Sequence, residues 1–599
     1  MLELLSFIVL SLVLPLLFFI PGFLLARAFT REEGDRFVLL ALGASLSFFA
    51  LAEFAAYLSP FPQWAVNAAA YLGVTGICLL RIRAARLPLL TLPGPTSLPP
   101  ALFFLAYAAA ISVQALIPVY SGAYWYGDWW LHYDVARFYA SRLPLDTTWF
   151  GNVIAPTRTP FFNLYGAYFM SFLGTGFAGF QVASTLANVI FLFPVAALAN
   201  RLAGQRAALI AVFLCIFSSA LFTNELYTWP KLATAFCVLA SVYFYLAFRA
   251  SLASGGGKTD SRSLGLAVAF FLLGYMEHQT ALYYGIGMLL DSLLVSLATG
   301  GASGIRRLAG AVIPALPAII VSLAALAAPW YLWSFGIWGV EGTINASPSV
   351  AHAFTTISWF DDRVQSAEGT LYPQFFLEWY NRYVDGATGG LAEVLRCGPC
   401  MGVLYNGFIR YYFDTLPGAL SFTLLASVVS LLAFRAFAWF RSGDEKVRVS
   451  VGGIAGSDAF LLSILVLSGF LIGHVMLAYM DTKGVLAHML PVFILMLLPV
   501  SALLATLGER VFLAVACGYL SEFVLAKGSH LVLLVFSDPG GSYAMDVAMK
   551  AQNTLAFASD ALGLWKWVFL PLSVALFAAL FVLTTRSIAG TRTAASGSR

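Results

Sequence analysis

Apolar stretches recur along almost the whole chain, and short polar loops separate them. A stretch of about 20 apolar residues spans a bilayer core as a helix, and only a helix or a closed barrel satisfies its own backbone inside lipid. The pattern therefore predicts an all-α polytopic membrane protein with about 15 transmembrane helices, roughly 13 to 16, and with amphipathic helices in its outer loops. The predicted spans cover about residues 5–26, 37–58, 64–80, 101–120, 180–200, 206–223, 231–249, 264–276, 281–298, 309–328, 417–437, 459–480, 487–506, 511–527 and 565–585.

Composition narrows the class of protein further. Of the 599 residues, 60% are hydrophobic and 10% are charged, and the mean hydropathy is +0.85. These values exclude a soluble globular protein of this size and make membrane lipids an expected partner. The formal net charge is only +4, and the chain contains no basic tract, so no nucleic-acid partner is expected.

Basic residues predict the orientation of the chain in the membrane. They concentrate in one alternate set of loops, which includes Arg81, Arg83, Arg86, Arg306 and Arg307. The positive-inside rule makes these loops cytoplasmic, so the other set lies on the outer face of the plasma membrane. The N-terminus is then outside and the C-terminus inside.

The most polar cluster of the outer set lies in the first large loop, 121–160, within the stretch Tyr124–Arg137. As a helix, this stretch places Asp128 and His132 on one face and Asp134 and Arg137 on another. Such a cluster predicts a polar site at the membrane boundary, where the neighbouring Trp and Tyr side chains also fit. An interfacial amphipathic helix with solvated charges is the alternative interpretation.

Other ionisable residues fall at the same predicted face. Arg158 precedes a helix start marked by Pro160, which suits an anion-binding role, although an Arg that binds lipid headgroups is equally compatible. Ionisable groups between apolar spans are candidate functional groups, and a snorkelling Lys or a short external turn is the alternative for each. The candidates at the later outer turns are Glu225, Lys231, Glu277, His278, Lys483 and His488.

Metal and redox chemistry receive little support from the sequence. The histidines have no paired spacing such as His-x-x-x-His, so no metal site and no cofactor are predicted. Cys397 and Cys400 form a Cys-Gly-Pro-Cys sequence in the long outer loop. The spacing fits a redox pair or half of a zinc site, but an extracytoplasmic position favours a structural disulfide.

Four local sequences together resemble the GT-C class of membrane glycosyltransferases, which includes the protein mannosyltransferase, aminoarabinose transferase and arabinosyltransferase families. They are the acidic motif Gly127–Ala136, the sequence Arg158–Phe162, the run Pro329–Trp333 and the segment Lys483–Pro491. The resemblance covers about residues 101–510. It departs from the mannosyltransferase pattern at Trp129, where that family usually has Glu, and at Thr159, which replaces the first Pro of a Pro-Pro pair.

The resemblance implies transfer of a sugar from a polyprenyl-phosphate donor to a hydroxyl group of a glycan, lipid or protein acceptor on the extracytoplasmic face. Inversion at the sugar needs one carboxylate as general base, and Asp128 is the expected one, with His132 and Asp134 orienting the base or the acceptor. The expected substrate-binding residues are Arg137, Arg158, Glu225, Lys231, Glu277, His278, Lys483 and His488.

The same resemblance divides the chain into four regions. Residues 1–100 would be additional N-terminal transmembrane helices, and 101–328 a GT-C-like catalytic core that contains the 121–160 loop. Residues 329–416 would form an extracytoplasmic loop region, and 417–599 the C-terminal transmembrane helices with a short cytoplasmic tail.

Three other functions are compatible with parts of this pattern. A lipid or solute transporter, or a flippase, would place ionisable residues at the midplane and repeat its halves. A glycan polymerase or ligase would use a pyrophosphate-linked donor. A non-catalytic assembly protein would bind a partner through the 329–416 loop.

Overall fold

The structure is a computed structural model that describes the main body of the chain. The described residues form helices joined by turns, with a 3-10 turn at Ala155–Thr157 and an isolated antiparallel bridge between Trp149 and Val153. They are 2–88, 94–116, 128–149, 153–254, 259–346, 416–442, 454–477, 489–536 and 564–596, together with Val364, Ala367 and Leu371.

Helices follow one another closely along the chain. The first thirteen are α1 (Leu2–Phe29), α2 (Gly34–Leu58), α3 (Gln63–Ala84), α4 (Pro100–Gln114), α5 (Asp128–Ser141), α6 (Phe161–Leu173), α7 (Phe177–Val189), α8 (Leu192–Ala203), α9 (Gln205–Ile216), α10 (Ser219–Leu226), α11 (Lys231–Ala253), α12 (Ser261–Glu277) and α13 (Ala281–Gly300). They are followed by α14 (Ala302–Ser322), α15 (Ala328–Ile344), α16 (Leu416–Leu420), α17 (Phe422–Ser442), α18 (Gly456–Leu477), α19 (Leu490–Ala505), α20 (Glu509–Phe536) and α21 (Leu564–Ser596).

The chain is a multi-pass integral membrane protein, as the apolar pattern predicted. Among the described residues, 10 helical segments are long and apolar enough to cross a membrane, or 11 if a bent pair counts as one span. The predicted number of about fifteen spans is not confirmed by the described residues. Among them, Pro100–Gln114 and Leu490–Ala505 are apolar helices of 15 and 16 residues.

One predicted span is bent rather than straight. The pattern predicted a single helix over 206–223, but α9 and α10 meet at 65° across Phe217 and Ser218. The Ser218 side chain accepts a hydrogen bond from the backbone N–H of Leu221 at 3.3 Å and thereby begins α10. A serine in an apolar run acts here as a helix start, which the hydrophobic pattern does not reveal.

A second departure concerns the start of the predicted outer loop at residue 329. Helix α14, a π-helical turn at Leu323–Ala327 and the first part of α15 are continuous, and the helix kinks at Gly339, where φ is 72°. Pro314 and Pro317 lie inside α14, where each removes one backbone donor. The Pro329–Trp333 sequence therefore lies on a helix.

Helix α11 occupies the centre of the described helices. It packs against α7, α8, α12, α13 and α19, and nearly all of its side chains are buried. Its first residue is Lys231, so the ammonium group of this lysine is held at one end of the best-packed helix in the neighbourhood.

Close approach between α6 and α7 depends on one glycine. A Cβ atom added at Gly166 would lie 2.4 Å from the ring of Phe180, which is fully buried. Helix α6 also packs along α5 and α2, so it lies between these helices and α7.

Candidate functional site

Three parts of the chain that are distant in sequence meet at one end of the helices. They are the first turns of α5, the segment that leads into α6, and the ends of α11 and α12. Each contains at least one residue that the sequence singled out, so the predicted polar residues are brought together rather than scattered.

His132 joins α5 to α6. Its Nδ1 lies 2.8 Å from Oδ1 of Asn163, and both side chains are buried. Because that oxygen only accepts, the pairing places a proton on Nδ1 of the imidazole. The ring of Phe162 contacts the same imidazole edge-on at 5.8 Å between centroids. His132 is therefore fixed in orientation, one helical turn after Asp128.

The segment before α6 is tied to the end of α12. The Thr159 hydroxyl donates to the backbone carbonyl of Glu277 at 2.9 Å. Arg158 is the preceding residue, is half-buried and has extended backbone geometry. The link places the Arg158 backbone beside the turn that carries Glu277 and His278.

Lys231 and His278 form the central polar contact. The Lys231 ammonium nitrogen lies 3.3 Å from Nε2 of His278, and the Lys231 side chain is 4% exposed. On the other side of the imidazole, Nδ1 accepts from the backbone N–H of Thr280 at 3.3 Å and lies 3.0 Å from the Thr280 hydroxyl oxygen. The indole of Trp229 lies beneath the ammonium, 5.6 Å from it. A fixed cation in a poorly solvated place can stabilise a phosphate strongly.

Glu277 is buried next to this pair. The residue is 1% exposed, and neither carboxylate oxygen has a hydrogen-bond partner among the described residues. Burying a carboxyl group without a hydrogen-bond partner costs free energy, and a bound ligand could supply that partner. Its position is thus consistent with a group that meets a ligand.

Asp134 and Arg137 lie on the other face of α5, as predicted. Their side chains form an ion pair at 3.4 Å, and the Arg137 guanidinium lies over the ring of Tyr133. Burial raises the pKa of Asp134 to about 6, although the neighbouring Arg137 opposes this effect. Arg137 is 42% exposed, so this pair lies at the rim of the site.

The Pro329–Trp333 sequence contacts two helices that carry predicted site residues. The Trp330 indole donates to the Tyr139 hydroxyl on α5 at 3.0 Å. The hydroxyl groups of Tyr331 and Tyr275 lie 2.9 Å apart, and Tyr275 is on α12 just before Glu277. These contacts connect α15 to both helices that carry predicted site residues.

An apolar groove is lined by side chains of α11, α12, α13 and α14, and its lining residue Leu282 follows Thr280 by two positions in the sequence. It has a volume of about 400 Å³ and runs between α12, α13 and α14, from Leu282 past Phe271 and Leu289 to Val312. Tyr245 and Ser292 are the polar side chains in its wall. A groove of this character suits a hydrocarbon chain.

Several predicted residues do not join this cluster in the described structure. Glu225 lies on α10, is 2% exposed, and its Oε1 has no hydrogen-bond partner among the described residues. Asp128 begins α5, but its side chain lies outside the described part of the structure, and Lys483, His488, Cys397 and Cys400 lie outside it altogether. Within the described residues, no three His, Cys, Asp or Glu side chains cluster as metal ligands would.

Sequence reasoning missed the uncharged residues that hold the site together. Asn163, Thr159 and Thr280 each bond to a residue that was singled out or to its backbone. A signal exists for Asn163, because an amide at the third position of the apolar helix start Phe161-Phe162-Asn163 needs a buried partner.

Comparison with known proteins gives no match to a family model and no match to a curated protein sequence. Among solved structures, the chain is similar to the crystal structure of ArnT from Cupriavidus metallidurans bound to undecaprenyl phosphate. The TM-score is 0.43 and the sequence identity 14%, covering 82% of this chain and 77% of that chain. It is also similar to ArnT of the same organism in the apo state, with a TM-score of 0.42 and 12% identity, covering 80% of this chain and 76% of that chain.

Proposed function

We propose that this protein is a GT-C-type membrane glycosyltransferase. It moves a sugar from a polyprenyl-phosphate donor to a hydroxyl group of a glycan, lipid or protein acceptor, with inversion at the anomeric carbon. The observation that carries the proposal is the buried Lys231–His278 contact at the start of α11 and the end of α12, where Thr159, just before α6, bonds to the backbone of Glu277.

The leaving phosphate defines what the cations do. As the bond between the anomeric carbon and the phosphate oxygen breaks, its electron pair leaves with the phosphate, which gains negative charge. Preorganised cations stabilise this charge in the transition state. Lys231 and Arg158 are the expected phosphate ligands. His278 contacts the Lys231 ammonium through Nε2, and Thr280 holds the imidazole at Nδ1.

The attacking hydroxyl group needs a base. The acceptor oxygen forms a bond to the anomeric carbon on the face opposite the phosphate, and its proton passes to the Asp128 carboxylate. Helix α5 places Asp128 one turn before His132, which Asn163 orients. A positioned carboxylate contributes about 10²–10⁴-fold to such a step.

Other predicted residues have supporting roles. Glu277, buried and without a described partner, is suited to accept hydrogen bonds from hydroxyl groups of the bound sugar. Asp134 and Arg137 are placed at the rim, where an acceptor would enter. Glu225, Lys483 and His488 are assigned to substrate binding on the sequence resemblance.

The lipid carrier requires an apolar path that is continuous with the phosphate site. The groove between α12 and α13 starts at Leu282, two residues after Thr280. A polyprenyl chain in this groove would bring its phosphate to the Lys231–His278 pair. Because the basic loops orient the chain, this end of the protein is assigned to the extracytoplasmic face.

The test compares wild-type protein with Asp128→Asn in proteoliposomes supplied with a panel of labelled polyprenyl-phosphate sugars. We expect the variant to bind donor and to transfer or release sugar about 10²–10⁴-fold more slowly, because its side chain cannot take the proton. Asp146→Asn is the matched control, since Asp146 is an exposed carboxylate just beyond α5. Equal rates for wild type and Asp128→Asn would remove the base assignment.

Two further arms separate the alternative functions. Uptake of labelled substrate into the vesicles without any sugar transfer would indicate a transporter or flippase. A preference for pyrophosphate-linked over monophosphate-linked donors would indicate a polymerase or ligase instead.

A further inference from the structure

The turn that presents Lys231 is held from outside by a neighbouring helix. Residues 227–230 connect α10 to α11, and Lys231 follows as the first residue of α11. The Asn188 side chain on α7 donates to the backbone carbonyl of Tyr227 at 2.9 Å and lies 3.3 Å from that of Asn224. This side chain therefore contacts both the last turn of α10 and the turn that follows it.

The direction of these hydrogen bonds is fixed by chemistry. Backbone carbonyl groups only accept, so the NH₂ group of Asn188 must face the turn. An aspartate at this position would have the same shape but would present only acceptors to the two carbonyls. Asn188 is 0% exposed, so water is poorly placed to replace it.

A second amide reinforces the same region. Gln114 at the end of α4 donates to the Thr185 hydroxyl, and its Nε2 lies 3.5 Å from the carbonyl of Leu226. The Thr185 hydroxyl in turn donates to the backbone of Gln181, which fixes the orientation of Gln114. Thr185 and Asn188 share one face of α7, three residues apart.

External support is needed because α10 is short and bent away from α9. It has 8 residues and meets α9 at 65°, so it lacks the stiffness of a continuous span. Its C-terminal carbonyls have no further helical turn to bond to. The hydrogen bonds from Asn188 to Tyr227 and Asn224 therefore help to hold the turn that leads into Lys231.

We infer that Asn188 is a positioning residue that holds the 227–230 turn and thereby keeps the Lys231 ammonium on His278. The inference rests on the proposed function only for its effect on sugar transfer. Its effect on the turn itself follows from the hydrogen bonds and is measurable without any substrate.

The first experiment measures backbone hydrogen exchange of the turn in wild type, Asn188→Asp and Asn188→Ser, without donor. We expect faster exchange confined to residues 226–232 in both variants. Gln181→Leu is the matched control, because Gln181 is a buried amide on the same helix face whose side chain makes no hydrogen bond among the described residues. Unchanged exchange in both Asn188 variants would overturn the inference.

The second experiment is a double-mutant cycle on undecaprenyl-phosphate-sugar transfer. Asn188→Asp should raise the donor KM about tenfold in the wild-type background. In the Lys231→Met background the same substitution should change the donor KM less than about twofold. Equal losses in both backgrounds would overturn the positioning role, because Asn188 would then act on the fold in general. If no variant and no wild-type sample transfers sugar while exchange still increases, the proposed function fails and the turn assignment stands.

Discussion

Lys231 is a buried residue, and its ammonium nitrogen lies 3.3 Å from Nε2 of His278. Burying a cation costs free energy, and an anionic ligand is one group that can offset this cost. The same reasoning applies to Glu277, whose carboxylate has no hydrogen-bond partner among the described residues. At the scale of single residues, a ligand that bonds to both groups would offset part of the cost of burying them.

The substitution Lys231→Met tests whether the Lys231 ammonium binds the phosphate. We expect sugar transfer to fall about 10²-fold or more, because a fixed charge on the leaving phosphate is lost. Lys231→Arg keeps the charge but changes its geometry, so it should retain an intermediate rate. Initial rates over a range of donor concentrations give kcat and KM for each variant. Unchanged kinetics in Lys231→Met would contradict the phosphate assignment.

Asp134 allows a prediction about pH. Burial raises its folded-state pKa to about 6 from an ordinary value of 3.8. Between these values the folded protein keeps a proton that the unfolded chain has released, so the free energy of unfolding falls as pH rises from about 4 to about 6. Asp134→Asn cannot titrate and lacks this decrease.

Thermal unfolding in detergent across about pH 4 to 7 measures the effect. The stability of wild type relative to Asp134→Asn should decline up to about pH 6 and then level off. A difference that is constant with pH would show that Asp134 does not titrate in this range.

At the scale of helices, α6 carries Asn163 and begins just after Arg158. The packing of α6 against α7 therefore affects the positions of both residues. Gly166→Ala would place a methyl group 2.4 Å from the buried Phe180 ring. Overpacking of this kind costs about 1–3 kcal/mol, and it should also weaken the His132–Asn163 contact. We therefore expect lower thermal stability together with slower sugar transfer.

Gly179→Ala provides the comparison for this change. An added Cβ at Gly179 would contact Leu173 at an ordinary 3.5 Å, so the variant should resemble wild type in both measurements. Equal behaviour of the two alanine variants would mean that α6 and α7 can separate without cost.

The helices also explain what the sequence could and could not predict. The stretch Asp128–Arg137 was predicted as a helix because Asp128 and His132, and likewise Asp134 and Arg137, have helical spacing. In the structure α5 begins at Asp128. The bend at Ser218 was missed because residues 206–223 are mostly apolar, and the pair Ser218 and Ser219 is too short an interruption to exclude a straight span. The decisive event is a side-chain hydrogen bond, which hydropathy does not register.

Contacts between distant segments were beyond reach for a different reason. Thr159 and Glu277 are 118 positions apart, and their bond depends on how α6 and α12 pack. Lys231 and His278 were each singled out as ionisable residues near a membrane boundary, yet their pairing required the hairpin of α11 and α12 to bring both ends together. The sequence thus identified the ionisable residues of the site, but which of them contact each other depends on helix packing.

At the scale of the whole molecule, the orientation in the membrane is open to direct test. Asp146, just after α5, and Arg86, just after α3, are exposed. Arg142 at the end of α5 donates to backbone carbonyls between α2 and α3, so Asp146 and Arg86 lie near opposite ends of α3. That helix is about 33 Å long, enough to separate the two positions by a bilayer core.

Cysteines introduced at these positions, in a chain whose six native cysteines are replaced, report the sidedness. A membrane-impermeant maleimide added to intact cells should label Asp146→Cys and should label Arg86→Cys only after the membrane is opened. The reverse pattern would place the Lys231–His278 pair on the cytoplasmic face and contradict the assignment of the outer face.

The groove beside α13 opens toward the surrounding lipid, since Leu282 and Leu289 in its wall are 42% and 59% exposed. A carrier that enters and leaves by this side never crosses water, so its exchange is a two-dimensional process within the bilayer. The quantity that sets the rate is then the mole fraction of carrier among the lipids. Diluting loaded vesicles in buffer leaves turnover unchanged, whereas spreading the same carrier over more lipid slows it.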